Sequence, residues 1–343
     1  MIQRGFCTFG VTVDNAVDAG YDAVVIFNEG QPGRTELLSG TLGVPFDVPV
    51  VGLSFADGAD LYAATQAGPV SVRVVTETET DLDAETSNII ATSRKGNPDD
   101  VVVVGAHLDS VAEGPGINDN GSGSATILEI AEEMAALKRA PRQKVRFAFW
   151  GAEEFNLLGS QHYVDTLSDN ALGRIFANLN FDMVASPNYV RFVYDGDGSD
   201  SDPAGPPGSA QIEELLTDFF DDEGLASDPT PFSGRSDYGP FIAVGIPAGG
   251  LFSGAEGVKT EEQAEVYGGE AGVAYDPCYH QACDDFGNLN LDAISEMSDA
   301  AAHAVFTLAR TKNGFFDDGS FRRPAQPARS DVRPTYRGHQ AIR

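Results

Sequence analysis

The chain has 343 residues, 42 % of them hydrophobic, and a net charge of −30. A chain of this length can bury a large core, and with no uninterrupted run of 18 apolar residues it offers no transmembrane helix. So acidic a surface argues against nucleic-acid binding, because phosphate contact needs a basic face.

Met1 is followed directly by IQRGFCTFG, which lacks the charged, apolar and cleavage regions of a secretory signal. The protein is therefore expected either in the cytoplasm or as a chain starting inside a longer one. The cysteines favour the second reading: Cys278 and Cys283 bracket a short loop and can pair, leaving Cys7 over, and a disulfide belongs to an oxidising compartment. With only five Lys among its basic residues, the acidic composition suits a high-salt or extracellular setting.

Residues 1–75 read as a small β-rich unit, with apolar runs at Ala23–Phe27 and Pro49–Leu53 set off by the turn-rich NEGQPGR and DGAD. Residues 76–315 alternate strands with amphipathic helices, as expected for a parallel or mixed sheet. Val101–Ala106 and Val145–Trp150 are short apolar runs of the kind buried on both faces. Helical spacing covers Ser122–Leu137 and then Ser209–Phe220, where Ser209 serves as the cap; Leu291–Arg310 closes the domain. The segment from Phe321 to Arg343, with six Arg against one Asp, reads as the basic, disordered end of a tail starting at 316.

The chemistry lies directly after the two apolar runs, in GAHLDSVAEGPGINDNGSG and FAFWGAEEFNLLGS. Open α/β sheets build their sites at the carboxyl ends of strands. His107, Asp109, Asp119, Glu153 and Glu154 gathered there would put several kcal/mol of uncompensated charge per ion into a crevice unless cations were present. Zinc takes imidazole nitrogen and carboxylate oxygen, and a two-zinc site needs one carboxylate between the ions plus two further ligands each. His107, Asp119, Glu154, Asp182 in NLNFDMV and His280 in CYHQACDD make such a set. In extended backbone Glu153 would point away from the metal of Glu154, and a carboxylate beside metal-activated water is a general base. Singly, an HxD after a strand is more often a surface loop and a Glu-Glu pair a solvated helix start. Together the five are not accidental. His162 and His303 on helices and His339 in the tail read as ordinary structural or surface residues.

The motifs GAHLDSVAEGPGINDNGSGSA, FWGAEEFNLLGSQHYV, NFDMV, FSGRSDYGPF, GIPAGGLFSGAEG and CYHQACD, in this order over residues 85–310, resemble the two-zinc metallo-aminopeptidase family, especially its secreted, leucine-preferring bacterial members. Residues 1–70 are similar to a protease-associated domain, the insert many relatives carry. Relatives place a helix and strand ahead of that insert, so this sequence is expected to start inside it, and Cys7 to have lost its partner there.

The resemblance implies a three-layer αβα fold around a mixed, mostly parallel sheet, with the small β-rich domain beside it. It implies two zinc ions, one on His107 and Asp182, the other on Glu154 and His280, with Asp119 bridging and a cis peptide after it. Glu153 would be the base, Asp109 the partner of His107, and Tyr279 the donor to the oxyanion. Arg235 would steady the peptide beyond the scissile bond, and Met183 and Phe252 would line an apolar pocket. A Cys278–Cys283 disulfide would hold Tyr279 and His280 on a tight loop. Peptide N-termini are the implied substrate, for a secreted monomer without nucleic-acid or membrane partners. Glutamate carboxypeptidases share the zinc core but need more basic groups than Arg235, glutaminyl cyclases use one zinc, and transferrin-receptor-like binding modules have lost ligands that are all present here.

Overall fold

The computed structural model describes residues 1–321 apart from 6, 32, 33, 39, 41, 79, 80, 82, 138, 313 and 317. Contacts divide the described chain after residue 85. Of the tail read from the sequence, residues 322–343, His339 included, lie outside the described residues.

The first unit is a three-stranded parallel sheet in the order β1 (Ile2–Gln3), β2 (Val24–Phe27), β3 (Val50–Leu53), with two helices, α1 (Phe9–Asp18) and α2 (Phe55–Ala67). The two longer strands fall on the apolar runs seen in the sequence. Thr8 and Ser54 cap the helices through their hydroxyls, which accept from Val11 N and Asp57 N. Phe9, Val13 and Ala16 of α1 pack on Val24 and Ile26. Cys7 is exposed.

The second unit runs β4 (Ile89–Thr92), β5 (Asn97–His107), α3 (Gly123–Ala136), β6 (Gln143–Trp150), α4 (Leu158–Thr166), α5 (Asp169–Gly173), β7 (Ile175–Phe181), β8 (Phe192–Tyr194), α6 (Ser209–Asp222), β9 (Asp228–Thr230), α7 (Gly239–Ala243), β10 (Ala248–Phe252), α8 (Glu261–Tyr267) and α9 (Leu291–Arg310). Its seven strands are ordered β4-β6-β5-β7-β10-β8-β9. Pairing is antiparallel only at β4–β6 and β10–β8, so the sheet is mixed and mostly parallel, as expected.

Alternation along β5 sorts its side chains between two cores. Val102, Val104 and Ala106 meet Ile127 and Ile130 of α3, Ile212 and Leu216 of α6, and Met297 and Val305 of α9. Val101 and Val103 meet Trp150, Val164 of α4, Leu172 of α5 and Phe241 of α7 on the other face. Helices on both faces thus make three layers, and the continuous apolar runs follow from burial on both sides. Phe316 is buried in the first core, and Phe321 meets Phe176 edge-on with ring centroids 4.9 Å apart.

One cap differs from expectation. Ser209 is the first helical residue of α6 rather than its cap, which is Gly208 in a left-handed conformation. The Ser209 hydroxyl, fully buried, instead accepts from Ala248 N of β10 at 3.0 Å. Ser209→Ala is therefore expected to strand a buried amide and cost about 1–3 kcal/mol, read as a lower urea midpoint; a cost within about 0.5 kcal/mol, typical of surface changes, would remove this hydrogen bond from the account.

Candidate metal centre

The site gathers at the carboxyl ends of β5, β6 and β7, where parallel strands leave a crevice. His107 ends β5, Glu153 and Glu154 follow β6 in a turn, and Asp182 follows the last residue of β7. Asp119 sits in a kinked helical turn, Ile117–Ser122, immediately before α3, and the Asp119–Asn120 peptide is cis. Strand character ends at Phe181, and the chain turns at Met183, whose φ is 56°. Ala152 and His280 share this left-handed backbone. Non-glycine residues there carry about 1–3 kcal/mol of strain each and concentrate where side chains are aimed for chemistry.

All five expected donors converge in two trios. His107 Nε2 lies 3.1 Å from both Asp119 Oδ1 and Asp182 Oδ1. His280 Nε2 lies 3.1 Å from both Asp119 Oδ2 and Glu154 Oε2. Asp119 therefore directs one oxygen to each trio, and its two partner sets lie on opposite sides of one carboxylate. Glu153 belongs to neither trio, although the backbone that separates it from Glu154 is a turn and not the extended segment expected.

Donor chemistry and spacing fit a divalent transition metal. Ligands about 2.0–2.2 Å from one tetrahedral ion stand roughly 3.3–3.6 Å apart, close to the 3.1 Å between each imidazole and its two carboxylates. Charge leads to the same conclusion. Burial lowers the His107 pKa, but the charges of Asp182 and Glu153 and a hydrogen bond with Asp119 outweigh it and lift the value well above normal. Burial likewise opposes protonation of His280, yet hydrogen bonds with Asp119 and Glu154 push it up to about 10. Asp119, which burial would raise, is held well below the usual carboxylate range by the same two imidazoles. Those protons sit where cations would compensate Asp119, Glu154 and Asp182, and metal binding exchanges one for the other.

Supporting hydrogen bonds hold the donors from outside. His107 Nδ1 donates to the backbone oxygen of Asp109 at 3.0 Å, which leaves Nε2 as the ring nitrogen that can ligate a metal in its trio. The Asp109 carboxylate, 3.8 Å from that imidazole, accepts instead from Glu153 N at 3.0 Å and Glu154 N at 3.3 Å. Asp109 thus fixes the turn carrying the Glu pair as well as the His107 ring. Ser236 donates to Asp182 and accepts from Asn180 Nδ2. Asp284, directly after Cys283, accepts from Asn118 N at 2.9 Å and Asp119 N at 3.1 Å. Cys278 and Cys283 are disulfide-bonded with Cα atoms 5.3 Å apart, so the His280 loop and the Asp119 turn are tied together.

Tyr279 stacks on His280 with ring centroids 3.9 Å apart, and its hydroxyl accepts from Arg235 Nη2 at 3.2 Å. Burial, partly offset by Arg235, lifts the phenol pKa well above normal and keeps it a donor at neutral pH. Met183 is buried directly after Asp182, while Phe252, at the end of β10, stacks on Phe192 at 6.0 Å. His162 and His303 are exposed on α4 and α9.

Sequence reasoning missed Ser236, Asp284, Glu256 and Asp237. Asp237 is a buried carboxyl whose pKa is raised far above normal by burial and by the charge of Glu153. All four were within reach: Ser236 and Asp237 stand in FSGRSDYGPF, Glu256 in GIPAGGLFSGAEG and Asp284 in CYHQACDD. A third acidic grouping, Asp195, Asp197 and Glu213, turns its Asp195 and Glu213 carboxylates to backbone amides of residues 196–201. A groove of about 650 Å³ between α3, α6 and α9 contains no residue of the candidate centre.

Known proteins share both units. Residues 1–61 match the PA domain. An aminopeptidase of Pseudomonas aeruginosa is 50 % identical over 312 residues, covering 90 % of this chain and 57 % of that protein. Leucine aminopeptidase 2 of Trichophyton equinum is 48 % identical, covering 92 % and 63 %. The chain thus spans about six-tenths of the length of these curated relatives. Among solved structures, BSAP, a zinc aminopeptidase from Bacillus subtilis, is similar with a TM-score of 0.66 and 27 % identity over 91 % of this chain and 70 % of that one. An aminopeptidase from Aneurinibacillus sp. strain AM-1 aligns with a TM-score of 0.67, 29 % identity and the same coverage. Since residues 88–305, well over half of the sequence, match peptidase family M28 and carry both donor trios, the chain belongs to that family.

Proposed function

We propose that this protein is a zinc-dependent aminopeptidase that removes N-terminal residues, preferably large and apolar, from peptides, with two zinc ions per chain. The observation that carries the reading is the divided carboxylate of Asp119, one oxygen in each trio, with Glu153 beside them in neither. The relatives' names, aminopeptidase and leucine aminopeptidase, support it.

In this reading His107 and Asp182 would hold one ion and Glu154 and His280 the other, with Asp119 offering an oxygen to each. Bound zinc would supply Lewis acidity to the scissile carbonyl and to water, lowering the pKa of the latter toward about 7. Glu153 takes the proton of the attacking water and passes it to the departing amine. Tyr279, held in place by Arg235 and by stacking on His280, donates its phenol proton to the carbonyl oxygen as charge develops there. Arg235 lies on the side of the departing chain, and Met183 and Phe252 form the apolar wall for the first side chain. A free α-amine beside the acidic cluster restricts cleavage to N-termini.

Catalysis is assigned to residues 76–315, with a protease-associated unit in 1–75 and a basic tail from 316. The disulfide is compatible with an extracellular setting. Chelation with dialysis should remove leucyl-anilide hydrolysis, and zinc should restore it at close to two ions per chain by atomic spectroscopy. Activity that survives complete removal of metal would end the zinc reading, and full activity at one ion would end the two-ion reading.

A further inference from the structure

We propose that Glu256 is a specificity-determining residue: by pairing with Arg235 it neutralises the departing-chain side of the site and disfavours dipeptides whose free carboxylate would lie there. The inference rests on the placement of Arg235 in the reading above.

Arg235 directs both ends of its guanidinium to Glu256, Nη1 to Oε1 at 2.8 Å and Nη2 to Oε2 at 3.3 Å. This two-pronged pairing is the geometry a carboxylate ligand would take from the same fork. A dipeptide carries its terminal carboxylate one residue beyond the scissile bond, whereas a longer peptide puts a neutral amide there. Substrate carboxylate and Glu256 are therefore rivals for one guanidinium, and their like charges repel.

Glu256 is held in place for this. The residues on either side of it are hydrogen-bonded to the segment leading to Tyr279, Asp276 N to Ala255 O and Tyr275 N to Gly257 O, each at 2.8 Å. The pair is also reachable, with the Arg235 side chain 20 % and the Glu256 side chain 37 % exposed. Removing the Glu256 charge takes away the carboxylate that both ends of the guanidinium face, on the side where the dipeptide terminus arrives.

The test is Glu256→Gln in the zinc-loaded full chain, comparing kcat/KM for leucyl-glycine with that for leucyl-glycinamide. These substrates share both residues and differ only in the terminal charge. The acid-to-amide ratio is expected to rise about tenfold, mainly through KM, the scale of one charge-assisted contact. In an Arg235→Gln background the same change should leave the ratio where Arg235→Gln alone puts it. A ratio that stays within about twofold, or one that rises equally without Arg235, overturns the proposal. Equilibrium binding of both peptides to Glu153→Gln and to Glu153→Gln/Glu256→Gln proteins reads the same ratio without turnover. A chain that hydrolyses neither peptide would thus fail as an aminopeptidase while still deciding the role of Glu256.

Discussion

Replacing Glu153 by Gln is expected to lower kcat on a leucyl anilide by about 10²–10⁴ while leaving the zinc content unchanged. Glu153 lies outside both donor trios, and its position is set through its backbone amide, which Asp109 accepts at 3.0 Å. The substitution keeps size and shape and removes only the ability to take a proton in the transition state, so the loss belongs to kcat. Glu154→Gln should behave otherwise. Its Oε2 is one of the three donors in the trio with Asp119 and His280, and weakening it should lower zinc per chain and activity together. Measuring zinc and kcat for both variants separates the neighbours. If Glu153→Gln turns over normally, or loses zinc as Glu154→Gln does, the division into base and ligand is wrong.

Trp150→Ala should cost about 3–5 kcal/mol of stability. This side chain ends β6, is fully buried, and meets Tyr163 and Phe241 with ring centroids 5.1 and 6.0 Å away. Its ring lies over Gly105, where an added Cβ would stand 2.5 Å from the indole nitrogen, so this stretch of β5 admits the indole only because it lacks a side chain. In the sheet Trp150 pairs with His107, and the packing that stabilises the fold also anchors a candidate metal donor. As the sequence has one Trp, unfolding should be followed by circular dichroism, with a lower urea midpoint and an unchanged slope. A cost below about 1 kcal/mol would mean that the neighbours collapse into the space and that the aromatic cluster is not what holds this face.

Much of this arrangement is legible in the chain because its signals are local. Val101–Ala106 and Val145–Trp150 are strands inside β5 and β6, and Leu291–Arg310 is helical over its whole length. Each pattern repeats at the period of its own backbone, so no knowledge of distant residues is required. The donors were legible for a related reason: His and carboxylates placed after buried strands are costly without a cation, and that cost is visible in one dimension.

Tertiary structure decided what depends on partners far along the chain. Ser209 looked like a cap, but Ala248 of β10 supplies its hydrogen bond. Asp109 looked like a partner for one imidazole, yet its carboxylate is held by the amides of Glu153 and Glu154, 44 and 45 residues away. Asp284 clamps the amide of Asp119 across 165 residues, and Glu256 reaches Arg235 across 21. The sequence by itself determined which residue types gather where a cation would be needed and which strands deliver them, because burial and periodicity act residue by residue. Which oxygen faces which trio, and what pins each donor there, was settled by hydrogen bonds between segments that only the folded sheet brings together.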